Sequence, residues 1–144
     1  MRGDHFYTRM VQRRALIEGA RLARELGDTR AADWYEAQGR RIELSLLEFW
    51  DPDRGYITAT LNRVEGLAYK TSGLDTAVVL GLLHGGLNDG FLPFHDPRVL
   101  ATLDHLVRAF EQEYGVNRRG PGVAIGRYPE DRYGGDNFNA GNPW

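Results

Sequence analysis

The apolar residues of this chain recur at helical spacing in several segments. Over residues 6–26 they return every three or four positions, which predicts an amphipathic helix that ends at Gly27. Asp28 or Thr29 can cap a second helix, and its apolar face continues until the chain reaches Asp51 and the proline after it. The N-terminal part of the sequence therefore predicts two helices joined by a tight turn.

Two further helices are predicted later in the chain. Ser72 begins a helix-start pattern, and residues 77–83 are apolar nearly all round, as in a helix that is buried on most sides. Asp96 followed by Pro97 is a strong start signal, because the first helical position needs no backbone N–H. An apolar stripe then continues over residues 100–114.

The remaining segments lack helical periodicity. Residues 56–60 can form a short strand, paired as a hairpin with residues 67–69. From residue 115 to the end the chain is rich in Gly, Asn and Pro, which predicts loop. The pattern as a whole predicts an all-α fold of about four helices, with long loops and one short β-hairpin.

Composition narrows the classes of function. The chain has 144 residues, 42% of them hydrophobic and 11% aromatic, which is typical of one folded domain. A formal net charge of −2 predicts binding neither to nucleic acid nor to an anionic membrane. No apolar run approaches membrane-spanning length, and the N-terminus is charged rather than signal-like. The chain lacks cysteine, and Lys70 is its only lysine.

Neither a metal nor a cofactor is predicted. No two histidines have the spacing of metal ligands on one helix face, and the glycines form no phosphate-binding pattern after a strand. Arg13 and Arg14 are expected to be solvated charges on a helix face. Asp75 is expected to stabilise a helix N-terminus rather than to act in catalysis.

Candidate binding chemistry is concentrated near the C-terminal end. Six side chains there combine a guanidinium, carboxylates and aromatic rings: Arg127, Tyr128, Glu130, Asp131, Tyr133 and Trp144. Sugar hydroxyls need donors and acceptors at fixed angles, and the C–H face of a sugar packs on aromatic rings. We expect sugar binding, since a loop that serves only solubility has little use for three large aromatics. The alternative is a solvent-facing loop whose arginine and aspartate pair with each other.

The same segment carries a family resemblance. Residues 127–131 read Arg-Tyr-Pro-Glu-Asp and, with Tyr133 and the Gly-Asn-Pro-Trp of residues 141–144, resemble the substrate-site loop of glucoamylases, glycoside hydrolase family 15. Residues 6–19 resemble the helix that follows the general-acid glutamate of that family. Residues 72–84 resemble the helix start that lies between those two segments. The three matches occur in the order of the family.

The resemblance implies a fold and an activity. The fold would be a partial (α/α)6 toroid, with residues 1–144 forming the middle portion of a single catalytic domain. The activity would be inverting exo-hydrolysis of α-1,4-linked glucose by two glutamates, and glucodextran- or trehalose-directed specificity stays open. In the family, the acid lies just upstream of the segment that matches residues 6–19, and the base lies beyond the position of Trp144. We therefore expect no catalytic residue in this chain, which alone would be inactive.

The resemblance also implies roles for the loop residues. Arg127 and Asp131 would hydrogen-bond sugar hydroxyls around the scissile bond, and Tyr133 and Trp144 would line the adjacent aglycone subsite. Glu130 and Tyr128 would belong to the same site, although one of the two can instead point into the protein to hold the loop. The segment 134–140 is longer than in the family pattern, which can reshape that subsite.

A partial toroid leaves apolar helix faces without partners. We expect either the missing toroid helices or a second copy of the chain to cover them. The α-glucan or oligosaccharide is the expected small-molecule partner. The alternative function is a non-catalytic or degenerate helical module that keeps sugar contacts or serves assembly.

Overall fold

The computed structural model describes residues 2–66, 68–118, 120 and 122–131. Four α-helices dominate it, namely α1 (Phe6–Glu25), α2 (Thr29–Leu47), α3 (Ala77–Gly85) and α4 (Pro97–Phe110). Four short strands complete it with one 3-10 helix (Gly115–Arg118), the strands being β1 (Arg2–His5), β2 (Trp50–Asp51), β3 (Tyr56–Ile57) and β4 (Thr60–Glu65). The mainly helical architecture predicted from the periodicity is confirmed.

The predicted capping residues define two of the helix starts. The Asp28 side chain accepts a hydrogen bond from the backbone N–H of Ala31 at 2.9 Å, which settles the choice between Asp28 and Thr29. Asp96 accepts from the N–H of Arg98 at 2.8 Å, with Pro97 in the first turn. These starts are determined locally, because each cap lies within three residues of the donor it satisfies.

The predicted hairpin is wrong in its pairing. Strand β3 pairs antiparallel with β2, which precedes it, and β4 pairs with β1 at the N-terminus. The Asp51 carboxylate accepts hydrogen bonds from the backbone N–H groups of Asp53 and Arg54, both at 3.0 Å, and so closes the turn between β2 and β3. Helix α2 consequently ends at Leu47, short of the predicted Asp51. Of the predicted partner strand, Leu67 lies outside the described residues.

The core forms where α1 packs against α3. Phe6, Met10 and Val78 are fully buried there. Gly85 allows the close approach of the two helices, because a Cβ at that position would lie 2.7 Å from the backbone of Met10. Helix α3 is less buried than its sequence predicts, since Leu83 is 54% exposed.

Helix α4 closes the core from the other side. Its Thr102 hydroxyl accepts a hydrogen bond from the backbone N–H of Ile57 at 2.9 Å and donates to the carbonyl of Arg98 at 2.6 Å. The helix ends at Phe110, before the predicted limit of the apolar stripe. Phe110 belongs instead to a second buried cluster with Leu74 and Leu106, on which the candidate loop rests.

Arg13 corrects another expectation. Its side chain is 2% exposed rather than solvated, and it forms ion pairs with Glu43 of α2 and Asp89 of the loop before α4. Its guanidinium also lies 4.5 Å from the ring centroid of Phe91. Since these partners come from α2 and from the loop before α4, no spacing along α1 could have distinguished Arg13 from the exposed Arg14.

Candidate functional site

The candidate loop, residues 126–131, lies against the end of α4 and the start of α3. Asn117 shapes the approach to it, donating to the carbonyls of Phe110 and Ala124 at 2.7 and 3.1 Å and accepting from the N–H of Ala124 at 2.7 Å. Gly126 then passes so close to the core that a Cβ would lie 2.5 Å from the hydroxyl of Tyr114. The loop therefore has a defined path over the protein surface.

Arg127 and Asp131 form a bidentate salt bridge within this loop. Arg127 Nε donates to Asp131 Oδ2 at 2.6 Å, and Nη2 donates to Oδ1 at 2.7 Å. The Asp131 side chain is 2% exposed, whereas that of Arg127 is 40% exposed. The hydrogen bond to Asp131 raises the pKa of Arg127 above its usual value, so the guanidinium stays charged. The exposed side of the Arg127 guanidinium can therefore bind a ligand, while the two hydrogen bonds to the Asp131 carboxylate fix the orientation of the guanidinium plane.

Three hydrogen bonds attach the loop to Ser72 and Thr76, in the segment just before α3. The backbone N–H of Thr76 donates to the carbonyl of Arg127 at 2.8 Å, and the Thr76 hydroxyl donates to the carbonyl of Gly126 at 2.6 Å. The backbone N–H of Ser72 donates to Glu130 Oε1 at 2.6 Å. The carboxylate of Glu130 thus points towards the protein rather than away from it.

The pKa of Glu130 reflects this position. Burial alone would raise the pKa, but the hydrogen bond from the Ser72 N–H and the nearby positive charge of Lys70 lower it below the usual value of a glutamate. Glu130 is therefore ionised in the folded chain at neutral pH. Its charge stabilises the attachment of the loop.

Tyr128 is also turned inwards. It is 7% exposed, its hydroxyl lies 3.4 Å from that of Tyr69, and the Lys70 ammonium lies 4.3 Å from its ring centroid. The hydrogen bond with Tyr69, followed by burial, raises the pKa of Tyr128 above its usual value, so the phenol stays neutral. One of Tyr128 and Glu130 was expected to point into the protein to hold the loop. In the structure both of them do.

Four of the six side chains singled out from the sequence are thus brought together in one loop. Tyr133 and Trp144 lie outside the described residues. Sequence reasoning missed the bonds that Ser72 and Thr76 make to the loop, and it missed the position of Lys70 against the Tyr128 ring. The one available signal was that Lys70 is the single lysine of an arginine-rich chain.

Two cavities have Lys70 in their walls. One, of about 490 Å³, is bordered by Trp50, Arg54 and Arg63, and the other, of about 530 Å³, by Tyr7, Asp75 and His84. Both cavities include Ala59, Thr60 and Lys70 in their walls. Residues 126–131 line neither of these two cavities, and Lys70, which lies against the Tyr128 ring, connects both of them to the candidate loop.

The parts of the chain that the structure describes contain no group of three or more His, Asp or Glu side chains placed to hold an ion. The histidines instead make single contacts, with His5 Nδ1 3.1 Å from the Thr60 hydroxyl and His84 Nδ1 3.1 Å from the Tyr7 hydroxyl. In the same residues, every helix is too short or too polar to cross a membrane.

Comparison with known proteins identifies the family of the chain. The family model described as glycosyl hydrolases family 15 matches residues 1–144. The chain belongs to glycoside hydrolase family 15. Among curated relatives of this family 15 chain, the glucoamylase of Blastobotrys adeninivorans is 38% identical over 147 residues, and glucoamylase 1 of Rhizopus oryzae is 34% identical over 145 residues. These alignments cover 97% and 99% of the chain but only 23% and 24% of the relatives.

Solved structures agree with the sequence comparisons. The glucoamylase of Saccharomycopsis fibuligera superposes with a TM-score of 0.83 at 30% identity, over 99% of this chain and 30% of that one. The family 15 glucoamylase of Hypocrea jecorina gives a TM-score of 0.77 at 34% identity, over 100% and 24% of the two chains. The family 15 chain therefore has part of an (α/α)6 toroid fold, as the resemblance implied, and spans about a quarter of the length of its curated relatives.

Proposed function

We propose that this family 15 chain supplies the substrate-binding loop of a glucoamylase-type hydrolase, which removes α-1,4-linked glucose from chain ends with inversion. The observation that carries the proposal is the Arg127–Asp131 pair, in which an exposed guanidinium is held by a buried carboxylate. Family membership and the glucoamylase names of the relatives support the choice of an α-glucan as substrate.

The geometry explains how such a loop would orient a sugar. Arg127 uses Nε and Nη2 to bind Asp131, and within the described residues no hydrogen bond reaches its Nη1. A guanidinium is planar, so fixing two nitrogens also fixes the direction in which the remaining donors point. A sugar hydroxyl would then accept from Arg127, while the buried Asp131, bonded to Arg127 through both of its oxygens, keeps the guanidinium in this orientation. Tyr133 and Trp144 are proposed to line the aglycone side.

Tyr128 and Glu130 are proposed to complete the site from beneath. Both face the protein, and both are attached to residues of the segment before α3. Their contribution would be to keep the Arg127 backbone in place when a sugar binds. A preorganised loop avoids the entropic cost of ordering the site during binding.

Hydrolysis itself is proposed to require groups outside residues 1–144. Inversion needs a general acid and a general base roughly 6.5–9.5 Å apart, with a water between them. The carboxylates of the candidate loop are both occupied by structural contacts, since Asp131 binds Arg127 and Glu130 binds the Ser72 N–H. The isolated chain is therefore proposed to bind sugar without cleaving it.

One observation favours a second function. Several large apolar side chains lie at the surface of the described residues, among them Leu22, Leu26 and Trp34, with Leu26 76% exposed. Such faces favour a helical module that works by assembly, with either further toroid helices or a second copy as its partner. In that case the Arg127–Asp131 pair would be a purely internal ion pair of a loop without a ligand.

Titration of the 144-residue chain with maltotriose, followed by NMR, tests the two functions. The proposed function predicts shifts centred on the loop and on Ser72 and Thr76, and weakening by at least tenfold in Arg127→Gln. Arg108→Gln is the matched control, because Arg108 is an exposed arginine that pairs with Asp104 on the same helix, α4. Absence of binding by the wild-type chain, together with self-association at micromolar concentration, would favour assembly.

Glucose release provides the separate test of the catalytic assignment. The purified chain is expected to release no glucose from maltose over hours at neutral and acidic pH. Turnover above the uncatalysed rate would show that residues 1–144 contain a catalytic pair, and so contradict its proposed location.

A further inference from the structure

We propose that Lys70 is a positioning residue for the sugar-binding loop, which it holds through the ring of Tyr128. This inference rests on the proposed function of the loop. Lys70 is 6% exposed, and its ammonium lies between the carboxylate of Asp75 and the face of the Tyr128 ring. Nothing in the chemistry of Arg127 and Asp131 requires a lysine at this place.

The first step of the argument is the cost of burying Lys70. An ammonium group removed from water is stable only with a charged partner and further polar contacts. Lys70 Nζ forms an ion pair with Asp75 Oδ2, and Asp75 Oδ1 accepts from the backbone N–H of Ala77 at 2.7 Å. The ammonium is therefore anchored to the start of α3.

The second step is the contact with Tyr128. The 4.3 Å between Lys70 Nζ and the ring centroid is within the range of a cation–π interaction, which is stronger when both groups are desolvated. Tyr128 directly follows Arg127 along the chain. A ring held by Lys70 therefore restrains the peptide unit that carries the exposed guanidinium.

The third step concerns the backbone around Lys70 itself. The Lys70 carbonyl accepts from Arg63 Nη1 at 2.7 Å, so β4 holds the backbone of this residue. The Lys70 charge also lies near Glu130 and favours its ionised form. One cation thus acts on two inward-facing residues of the loop, Tyr128 and Glu130, while its own backbone is fixed. Lys70 is buried, and its ammonium contacts Asp75 on one side and the Tyr128 ring on the other. We therefore assign it to positioning of the loop rather than to direct contact with sugar.

The experiment compares Lys70→Met and Lys70→Arg in the 144-residue chain. Hydrogen exchange reports the loop through the N–H of Thr76, bonded to the Arg127 carbonyl, and the N–H of Asp131, bonded to the Tyr128 carbonyl at 3.0 Å. Lys70→Met is expected to accelerate exchange at these two amides at least tenfold and to weaken maltotriose binding at least fivefold. Amides of α1 and α2 are expected to change less than twofold. Lys70→Arg, which keeps a cation beside both partners, is expected to stay within threefold of wild type in both readouts.

Several results would overturn the proposal. It fails if Lys70→Met leaves both loop amides unchanged, if α1 amides accelerate as much as the loop amides, or if Lys70→Arg behaves like Lys70→Met. If the wild-type chain binds no maltotriose, the proposed function fails, whereas the exchange measurements still decide whether Lys70 holds the loop. The two failures are therefore distinguishable.

A second measurement protects the test against a variant that does not fold. Because Lys70 is the only lysine, its acetylation by acetic anhydride can be followed at a single side-chain amine by mass spectrometry. Tyr128→Leu removes the ring but leaves Asp75 in place, and it is expected to increase the acetylation rate at least fivefold. An unchanged rate would show that the ring does not hold Lys70, and the proposal would be wrong.

Discussion

Arg127 and Asp131 hold each other through two parallel hydrogen bonds, 2.6 Å from Nε to Oδ2 and 2.7 Å from Nη2 to Oδ1. The carboxylate is buried and the guanidinium is partly exposed, so the pair has one structural side and one side open to solvent. Two parallel bonds need a planar fork, which arginine has and lysine lacks. The identity of residue 127 therefore matters beyond its charge.

Replacing Arg127 by lysine tests this relationship. Arg127→Lys keeps the positive charge but removes one of the two hydrogen bonds from residue 127 to the buried Asp131, and we expect the free energy of unfolding to fall by about 1–2 kcal/mol. Urea denaturation followed by circular dichroism measures the loss. Arg108→Lys is the control, since the exposed pair with Asp104 should contribute less than about 0.5 kcal/mol. Equal effects of the two substitutions would show that the bidentate hydrogen bonding of Arg127 to Asp131 adds no stability.

The buried Arg13 should be among the most sensitive positions of α1. Arg13→Met leaves the carboxylates of Glu43 and Asp89 without their shared cation, and we expect a loss of about 3 kcal/mol in unfolding free energy. Arg14→Met is the matched control, because the exposed Arg14 loses only its hydrogen bond to the His84 carbonyl. Urea melts of both variants measure the difference, and similar midpoints would contradict the structural role of Arg13.

The crossing of α1 and α3 should exclude a methyl group at Gly85. A Cβ there would lie 2.7 Å from the Met10 backbone, so Gly85→Ala must separate the helices, at a cost of about 1–3 kcal/mol. Gly19→Ala provides the opposite case in α1, because its Cβ would contact Tyr35 at an ordinary 3.7 Å. We expect Gly19→Ala to be neutral or stabilising by up to about 1 kcal/mol, since alanine favours the helix. Thermal melts that rank the two variants in the reverse order would refute the described packing.

Acid should release the loop from α3. The pKa of Glu130 is lower in the folded chain than in the unfolded chain, so its contribution to stability is complete above the unfolded pKa of about 4.3 and is lost as the pH falls through the folded value. We expect exchange of the Ser72 amide, which donates to Glu130, to accelerate in that range after correction for the intrinsic rate. In Glu130→Gln this acid dependence should disappear. Glu25→Gln, at the exposed end of α1, should leave it unchanged.

The candidate site could be predicted from the sequence only for those of its residues that lie close together along the chain. Arg127, Tyr128, Glu130 and Asp131 lie within five residues and carry a recognisable pattern, so they could be singled out together. Their orientations could not, because Tyr128 and Glu130 turn inwards only through contacts with Tyr69, Lys70 and Ser72, about sixty residues earlier.

The sequence by itself determined the helical class, the cap at Asp96, a cap at either Asp28 or Thr29, and the family of the chain. The helices and caps depend on residues within a few positions of each other, and the family is recognised from contiguous sequence motifs. Only the tertiary structure decided that β3 pairs with β2, that Arg13 is buried and that Lys70 lies beneath the loop. Burial and strand pairing depend on which distant segments pack together. The sequence around a charged residue is the same whether its side chain faces water or a buried carboxylate, so the sequence does not distinguish the two cases.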